Sequence, residues 1–292
     1  MIFLKKALLH LTILFFVSPL LAQTTDISLK TNPLLELGIT TNNLALKGNV
    51  KEMQEHQFAT NEQGHTTNDS ASISYIYKFD QNGLTKEIEE TIRNLQTKKS
   101  FYSYTNRGFI SHIDIETSRF LSENDSIEID SASNDLPDFS TMDYKYVQKK
   151  NILFKSEDYI INIPKKTTTR TEYFYHFNDE NQILQIDYQS SDLTTKFNYD
   201  TNGMLKETLT LKSGAPFYKN IYKYDRNNRL INISKINADN TSRFPSEETI
   251  ISYKLDSNGN ITEKKIKTFL YSSKAPKKFV HGNLYLYQYT YL

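Results

Sequence analysis

The chain has 292 residues, with 35 Lys and Arg, 34 Asp and Glu, six His and no Cys. Removal of an N-terminal targeting segment takes Lys5 and Lys6 with it and leaves a net charge of −1, without the clustered positive excess that a nucleic-acid partner requires. The lack of cysteine excludes a disulfide framework, Cys-ligated zinc, a thiol nucleophile and a lipidated N-terminal Cys.

Residues 1–22 read as a secretory signal peptide. Lys5 and Lys6 form the positive n-region, Ala7 to Val17 the apolar h-region, and Ala22 is the small residue before the cleavage point. The alternative, a membrane anchor, is short: a spanning helix takes about 20 predominantly apolar residues, and this stretch contains His10, Thr12 and Pro19. No later segment forms a spanning helix, so the expectation is an exported protein with no membrane span once the signal is removed. Residues 23–45 are polar, contain Pro33 and Gly38, show no sustained period, and read as a leader or linker.

From residue 46 to 292 the chain repeats itself. Zero Trp beside 20 Tyr and 17 Phe already points to strands. Each unit has aromatics at alternate positions, then an Asp/Asn/Gly cluster, then a second run led by Leu or Ile. Ile73 to Phe79 leads into Asp80-Gln81-Asn82-Gly83, and Phe101 to Tyr104 into Thr105-Asn106-Arg107-Gly108. Tyr173 to Phe177 leads into Asn178 to Asn181, and Phe197 to Tyr199 into Asp200-Thr201-Asn202-Gly203. Tyr222 to Tyr224 leads into Asp225-Arg226-Asn227-Asn228, and Ile251 to Leu255 into Asp256-Ser257-Asn258-Gly259. Tyr144 to Tyr146, followed by Gln148 to Asn151, is a degenerate copy.

Alternation places these aromatics on one side of a strand, which no helix would do. Asp80, Asp200, Asp225 and Asp256 are placed to accept from the backbone two residues on, as Asx-turns. Gly83, Gly108, Gly203, Gly259 and Asn228 stand where a reversal needs positive φ. Each unit therefore predicts a β-hairpin. Tyr285 to Leu292 reads as the first half of a unit, and Leu46 to Met53 as a strand that follows a turn. In Leu205 to Leu211 the odd positions are mostly apolar and Lys206, Thr208 and Thr210 face away; in Leu84 to Ile92 apolar and charged residues share a face. With mean hydropathy at −0.58, the expected fold is an all-β antiparallel meander of hairpins in a curved or barrel-like sheet, with a sandwich as second choice.

The pattern breaks near 114–143, an acidic stretch that reads as a solvated insertion loop because it lacks a calcium-ligand loop. The later run of Lys264, Lys265, Lys267, Lys274, Lys277 and Lys278 reads as a solvated strand edge, with an anionic glycan as the alternative contact.

The segment Tyr224-Asp225-Arg226-Asn227-Asn228-Arg229-Leu230 resembles the repeat of the RHS/YD family, and Tyr199-Asp200 with Gly203 and Leu205 resembles it too. The resemblance covers residues 73–292, with too few copies for the toxin-enclosing shells of large members. It is closer to the small exported YD-like proteins of Bacteroidetes-type bacteria, and it implies a porin-like curved sheet. A second resemblance, to the Asp-Ser/Thr-apolar acceptor of periplasmic O-glycosylation in such bacteria, falls on Ser70, Ser126 and Ser131.

No catalytic, cofactor or metal residues are assigned. His56, His65, His112, His176 and His281 form no His-x-x-x-His pair, and no nucleophile elbow, phosphate loop or dinucleotide fingerprint occurs. The expectation is a non-catalytic envelope binding or scaffold module, its partner an envelope protein or glycan. The alternatives are a glycan-binding Tyr-rich face and, last, a carboxylate-based glycan hydrolase.

Overall fold

The structure, a computed structural model, describes residues 44, 46–93, 95–119, 138–161, 167–179, 182–238, 245–272 and 275–291. Residues 1–22, read above as a signal peptide, and nearly all of residues 23–45, read as a leader, lie outside them, as do Ser126 and Ser131. The first eight strands are β1 (Val50–Thr60), β2 (Ile73–Phe79), β3 (Thr85–Ile92), β4 (Gln96–Tyr104), β5 (Ile110–Arg119), β6 (Asp138–Lys149), β7 (Ile152–Ile161) and β8 (Thr167–Phe177). Then follow β9 (Ile183–Tyr188), β10 (Leu193–Tyr199), β11 (Leu205–Lys212), β12 (Ala215–Tyr224), β13 (Leu230–Asn237), β14 (Glu247–Leu255), β15 (Ile261–Ser272) and β16 (Ala275–Tyr291). Every strand pairs antiparallel with its sequence neighbours, and β16 pairs with β1, so the meander closes into a 16-strand barrel. The sandwich alternative is thereby set aside.

The repeat unit makes one rim of this barrel. Asp80 Oδ1 accepts from Asn82 N at 2.8 Å and Leu84 N at 2.9 Å. Asp200, Asp225 and Asp256 repeat this at 2.8–3.0 Å. Thr105 Oγ1 does the same more loosely, at 3.3 and 3.2 Å. Position four of each turn has positive φ, from 61° at Asn228 to 86° at Gly259. The β6–β7 connection departs from this: it is a tight reversal at Lys150 (φ 53°) and Asn151, with Lys149 opposite Ile152.

Each Asx-turn is followed by a β-bulge. The extra residues are Lys86, Ser111, Leu184, Lys206, Ile231 and Thr262, each just after the residue that faces the last aromatic or apolar residue before the turn. A bulge reverses the in–out parity of everything after it. This corrects the reading of β11. Leu205 faces in, Lys206 is extra, and Thr208 and Thr210 then point inward at 5% and 4% exposure while Leu209 and Leu211 face out.

Side chains as buried as Met53, Tyr175 and Tyr285 need the concave side of a closed wall. By register, that inner face carries Tyr75, Tyr77, Tyr102, Tyr144, Tyr173, Tyr175, Tyr222, Tyr285 and Tyr287 together with Ile113, Ile186, Ile251 and Ile266. The outer face carries cross-strand ion pairs such as Lys78–Glu87 at 2.9 Å, Lys99–Glu89 at 3.4 Å, Lys219–Glu207 at 3.3 Å and Lys254–Glu263 at 2.8 Å. The acidic stretch belongs partly to this wall. Asp114 and Glu116 on β5 and Asp143 on β6 are outward strand residues, which corrects their reading as part of an insertion loop; residues 120–137 lie outside the described residues.

Neighbouring units are joined by a recurring tyrosine contact. The hydroxyls of Tyr146, Tyr199, Tyr224, Tyr253 and Tyr289 donate to the carbonyls of Ile110, Ile183, Leu205, Leu230 and Ile261 at 2.6–2.8 Å. Each acceptor directly precedes a bulge, where the disrupted ladder leaves a carbonyl in need of a donor. The Tyr of the repeat is thus a structural residue as well as a core residue.

Candidate functional site

On β1, β11 and β13 burial along the inner face falls from the turn rim toward the opposite end, while Ile115, Ser140 and Thr268 stay buried in the far half. On β1, Met53 and Glu55 are buried and Gln57 and Ala59 are half-buried; on β13, Leu230 is buried, Ile233 and Lys235 are half-buried and Asn237 is exposed. On β11 the series runs from buried Thr208 and Thr210 to exposed Lys212. The interior is therefore a cup, filled near the turn rim and open at the other end. A barrel mouth of this kind is a usual place for a ligand.

Several charges inside the cup stand opposite a charge of the other sign, whereas Lys212 at the mouth has the Phe217 ring, 5.9 Å away, beside it. Near the floor, Lys155 Nζ lies 2.6 Å from Glu157 and over the rings of Tyr144 and Tyr173, at 5.0 and 5.3 Å from their centroids, and Tyr173 donates to Glu157 at 3.0 Å. On the far wall Lys264 sits 4.2 Å from the Tyr285 ring centroid, with Glu55 across β16. Nearer the mouth Glu90 stands opposite Lys98, and Lys235, 4.7 Å from the Tyr218 ring centroid, stands opposite Glu247. Phe217, half exposed on the β12 bulge, has its ring 5.4 Å from that of Tyr218 in a tilted contact at the lip. Rings with flat apolar faces and polar tips, set among paired charges, suit a neutral polar ligand better than a polyanion.

Glu55 differs from the other inner carboxylates. It is 1% exposed, and its Oε2 has no hydrogen-bond partner. Burial pushes its carboxyl from 4.5 up to about 7, with Lys264 and Tyr287 pulling the other way without outweighing it. Burial likewise holds the hydroxyls of Tyr77 and Tyr287 far above their ordinary value. On the outer face the sign reverses. Burial would raise Glu248, but Lys277, Tyr271 and Asn232 together hold it at about 2. Asp143 and Asp114, at 2.7 and 2.9 Å, raise His112.

The residues singled out in the sequence are not brought together. Asp80, Gly83, Gly108, Asp200, Gly203, Asp225, Asn228, Asp256 and Gly259 are distributed around the turn rim, at the filled end of the cup. Ser70 is exposed in the β1–β2 connection. His176 faces out, 2.8 Å from Asp187. Among the described residues no group of three or more His, Asp or Glu is arranged to hold a metal. The lysine run is split by parity. Lys264 is fully buried inside, which overturns its reading as part of a solvated edge; Lys265 and Lys277 make outer ion pairs, Lys267 donates to Glu62 O at 2.6 Å, and Lys274 lies outside the described residues. Closure leaves no edge strand to guard. Sequence reading misplaced Lys264 and missed Glu55, Lys155, Glu157 and Lys235, whose signal is a charge at the parity of the inner face.

No protein-family model matches the chain, nor does any curated protein. Among solved structures it is similar to a porin-like protein from Bacteroides uniformis, at 10% identity and a TM-score of 0.36, covering 82% of this chain and 98% of the other. It is also similar to a porin-like protein from Bacteroides vulgatus, at 12% identity and a TM-score of 0.30, covering 83% and 98%.

Proposed function

We propose that the protein is an exported, non-catalytic binding module of the bacterial envelope, related to small YD-like repeat proteins, whose barrel stays in water and takes a neutral glycan at its open mouth. The carrying observation is the distribution of charge over the two faces of the wall. A lipid-facing wall needs an apolar band, and a basic residue at the bilayer midplane costs about 2–4 kcal/mol. Outward Lys78, Lys99, Arg170, Lys219, Lys254 and Lys265 would together cost on the order of 10 kcal/mol in that setting. The inward face offers Tyr218, Lys235, Glu247 and Asn220 at an accessible end, the composition that neutral sugars use for stacking and hydrogen bonding.

The test uses the mature chain without detergent. It is expected to remain soluble, to stay at the bottom of a liposome flotation gradient, and to show saturation transfer to neutral oligosaccharides released from envelope polysaccharide. Tyr218→Ala should weaken that transfer at least several-fold. Flotation with the vesicles would refute the water-faced reading; transfer unaffected by Tyr218→Ala would refute the mouth as the site. If instead cross-linking of envelope extract attaches one specific protein and no sugar binds, the scaffold reading replaces the glycan one.

A further inference from the structure

Eight strand junctions lie along the turn rim, and seven of them are covalent. The eighth joins β16 to β1, whose sequences are the front and back halves of one unit. Its register repeats the covalent units: Tyr291 faces Val50, Thr290 faces Glu52, and Lys51 is the extra residue. In the β10–β11 unit Tyr199 faces Leu205, Asn198 faces Glu207, and Lys206 is extra. Gly48, with φ 76°, stands two residues before Val50, as Gly203, also at 76°, stands two before Leu205. The tyrosine contact is present as well, from Tyr289 to Ile261 O.

What the eighth unit lacks is its Asx-turn, and the side chain of Asn260 occupies that role. Its Oδ1 accepts from Lys47 N at 2.6 Å, and its Nδ2 donates to Lys47 O at 3.0 Å and to Tyr291 OH at 2.8 Å. Asn260 is 3% exposed, and Tyr291 OH donates on to Asp256 of the neighbouring turn at 3.1 Å. A two-point side-chain clip therefore replaces a peptide connection. It fixes the incoming chain beside the outgoing one, and Leu44, 1% exposed, packs into the core just before it.

We propose that the β16–β1 junction is a split repeat unit clipped by Asn260, and that this seam is the place where the barrel opens. Every other rim junction is held by covalent continuity through its turn, so its two strands part only by local unfolding of a hairpin. At the seam no turn at either end ties β1 to β16, so once the clip is lost only the backbone ladder between Val50–Thr60 and Gly282–Tyr291 and the packing beneath it hold the two strands together, and their parting gives lateral access to the inner face.

Native-state amide exchange on the mature chain tests this. The seam amides of Met53 to Phe58 and Leu284 to Gln288 are expected to open at lower free energy than those of Thr208 to Thr210 and Lys196 to Asn198. Asn260→Ala should accelerate seam exchange by on the order of 100-fold while β10–β11 changes little. Because the chain has no cysteine, Gln54→Cys with Gln288→Cys, which face each other across the seam, makes a clean cross-link. Its oxidation should abolish the acceleration. Uniform acceleration in all strands, or a seam no faster than β10–β11 in the unsubstituted chain, would overturn the proposal. Should Asn260→Ala not fold, the cross-link decides alone. Its oxidation must slow seam exchange selectively, and a uniform effect overturns the seam.

Discussion

Glu55 allows a quantitative prediction. Its carboxyl faces Tyr75 and Tyr77 on β2, Tyr285 and Tyr287 on β16, and Lys264 on β15. Burial raises it from 4.5 to about 7. The folded state thus holds a proton that the unfolded chain releases at lower pH. The associated stability is fully present below pH 4.5 and is lost as pH rises through about 7. At 1.36 kcal/mol per unit this amounts to about 3 kcal/mol across the window. Glu55→Gln keeps the shape and removes the ionisation. The variant should match the parent near pH 4.5 and exceed it by about 3 kcal/mol above pH 8. His112, raised by Asp143 and Asp114, also loses its contribution as pH rises, but it does so in both proteins and cancels in the difference. Glu248, held near 2, contributes only to the acid limb. Urea unfolding of both proteins at half-unit pH steps from 4 to 9 measures the difference directly. Parallel curves would show that Lys264 keeps Glu55 ionised throughout and that burial does not dominate.

Three further outcomes follow from the rim and the loops. Tyr224→Phe leaves Leu205 O without its donor at a half-buried site and should cost about 1–2 kcal/mol in urea unfolding; no loss would mean that the carbonyl is satisfied without the hydroxyl. At Asn228, with φ 61°, replacement by Ala should cost about 1 kcal/mol while Gly costs nothing, so equal melting temperatures for the two variants would count against backbone strain at that position. Ser70, exposed beside Asp69, is available to a glycosyltransferase. Intact mass of the natively exported protein should exceed the polypeptide mass, and Ser70→Ala should remove one increment unless the site is unmodified.

The hairpins were legible because alternation, Asx chemistry and positive-φ residues agree within a few positions of each other. Tyr199, Asp200, Gly203 and Leu205 are all local signals, and each reports on the same turn. Closure was only half legible. Tyr285 to Leu292 and Leu46 to Met53 read as two unmatched halves, but nothing local says that they meet, because Asn260, which clips them, sits in another unit.

The inner face was the least legible part, and the cause is geometric. Alternation fixes parity only while the ladder is continuous, and each unit except β6–β7 contains a bulge after its turn that resets it. Leu205 and Leu209 look like one face in sequence, yet Lys206 between them puts Leu205 inside and Leu209 outside. The same reset at Lys86 explains the mixture in β3, where Ile88 and Glu90 share the inner face while Glu87 and Glu89 meet Lys78 and Lys99 outside. Counting faces from the residue after each bulge separates an ion-paired exterior from a tyrosine interior. It also brings Glu55, Lys155, Glu157 and Lys264 to the aromatic side of the wall, where a charge needs a partner to be tolerated. Lys155 has Glu157 and two rings, and Lys264 has the Tyr285 ring. A protein that needed only a packed core would fill these positions with Ile or Leu, as it does at Ile113, Ile186 and Ile266. Retaining ionisable groups there costs stability relative to an apolar side chain, so each depends on the rings and the counter-charge that share its face.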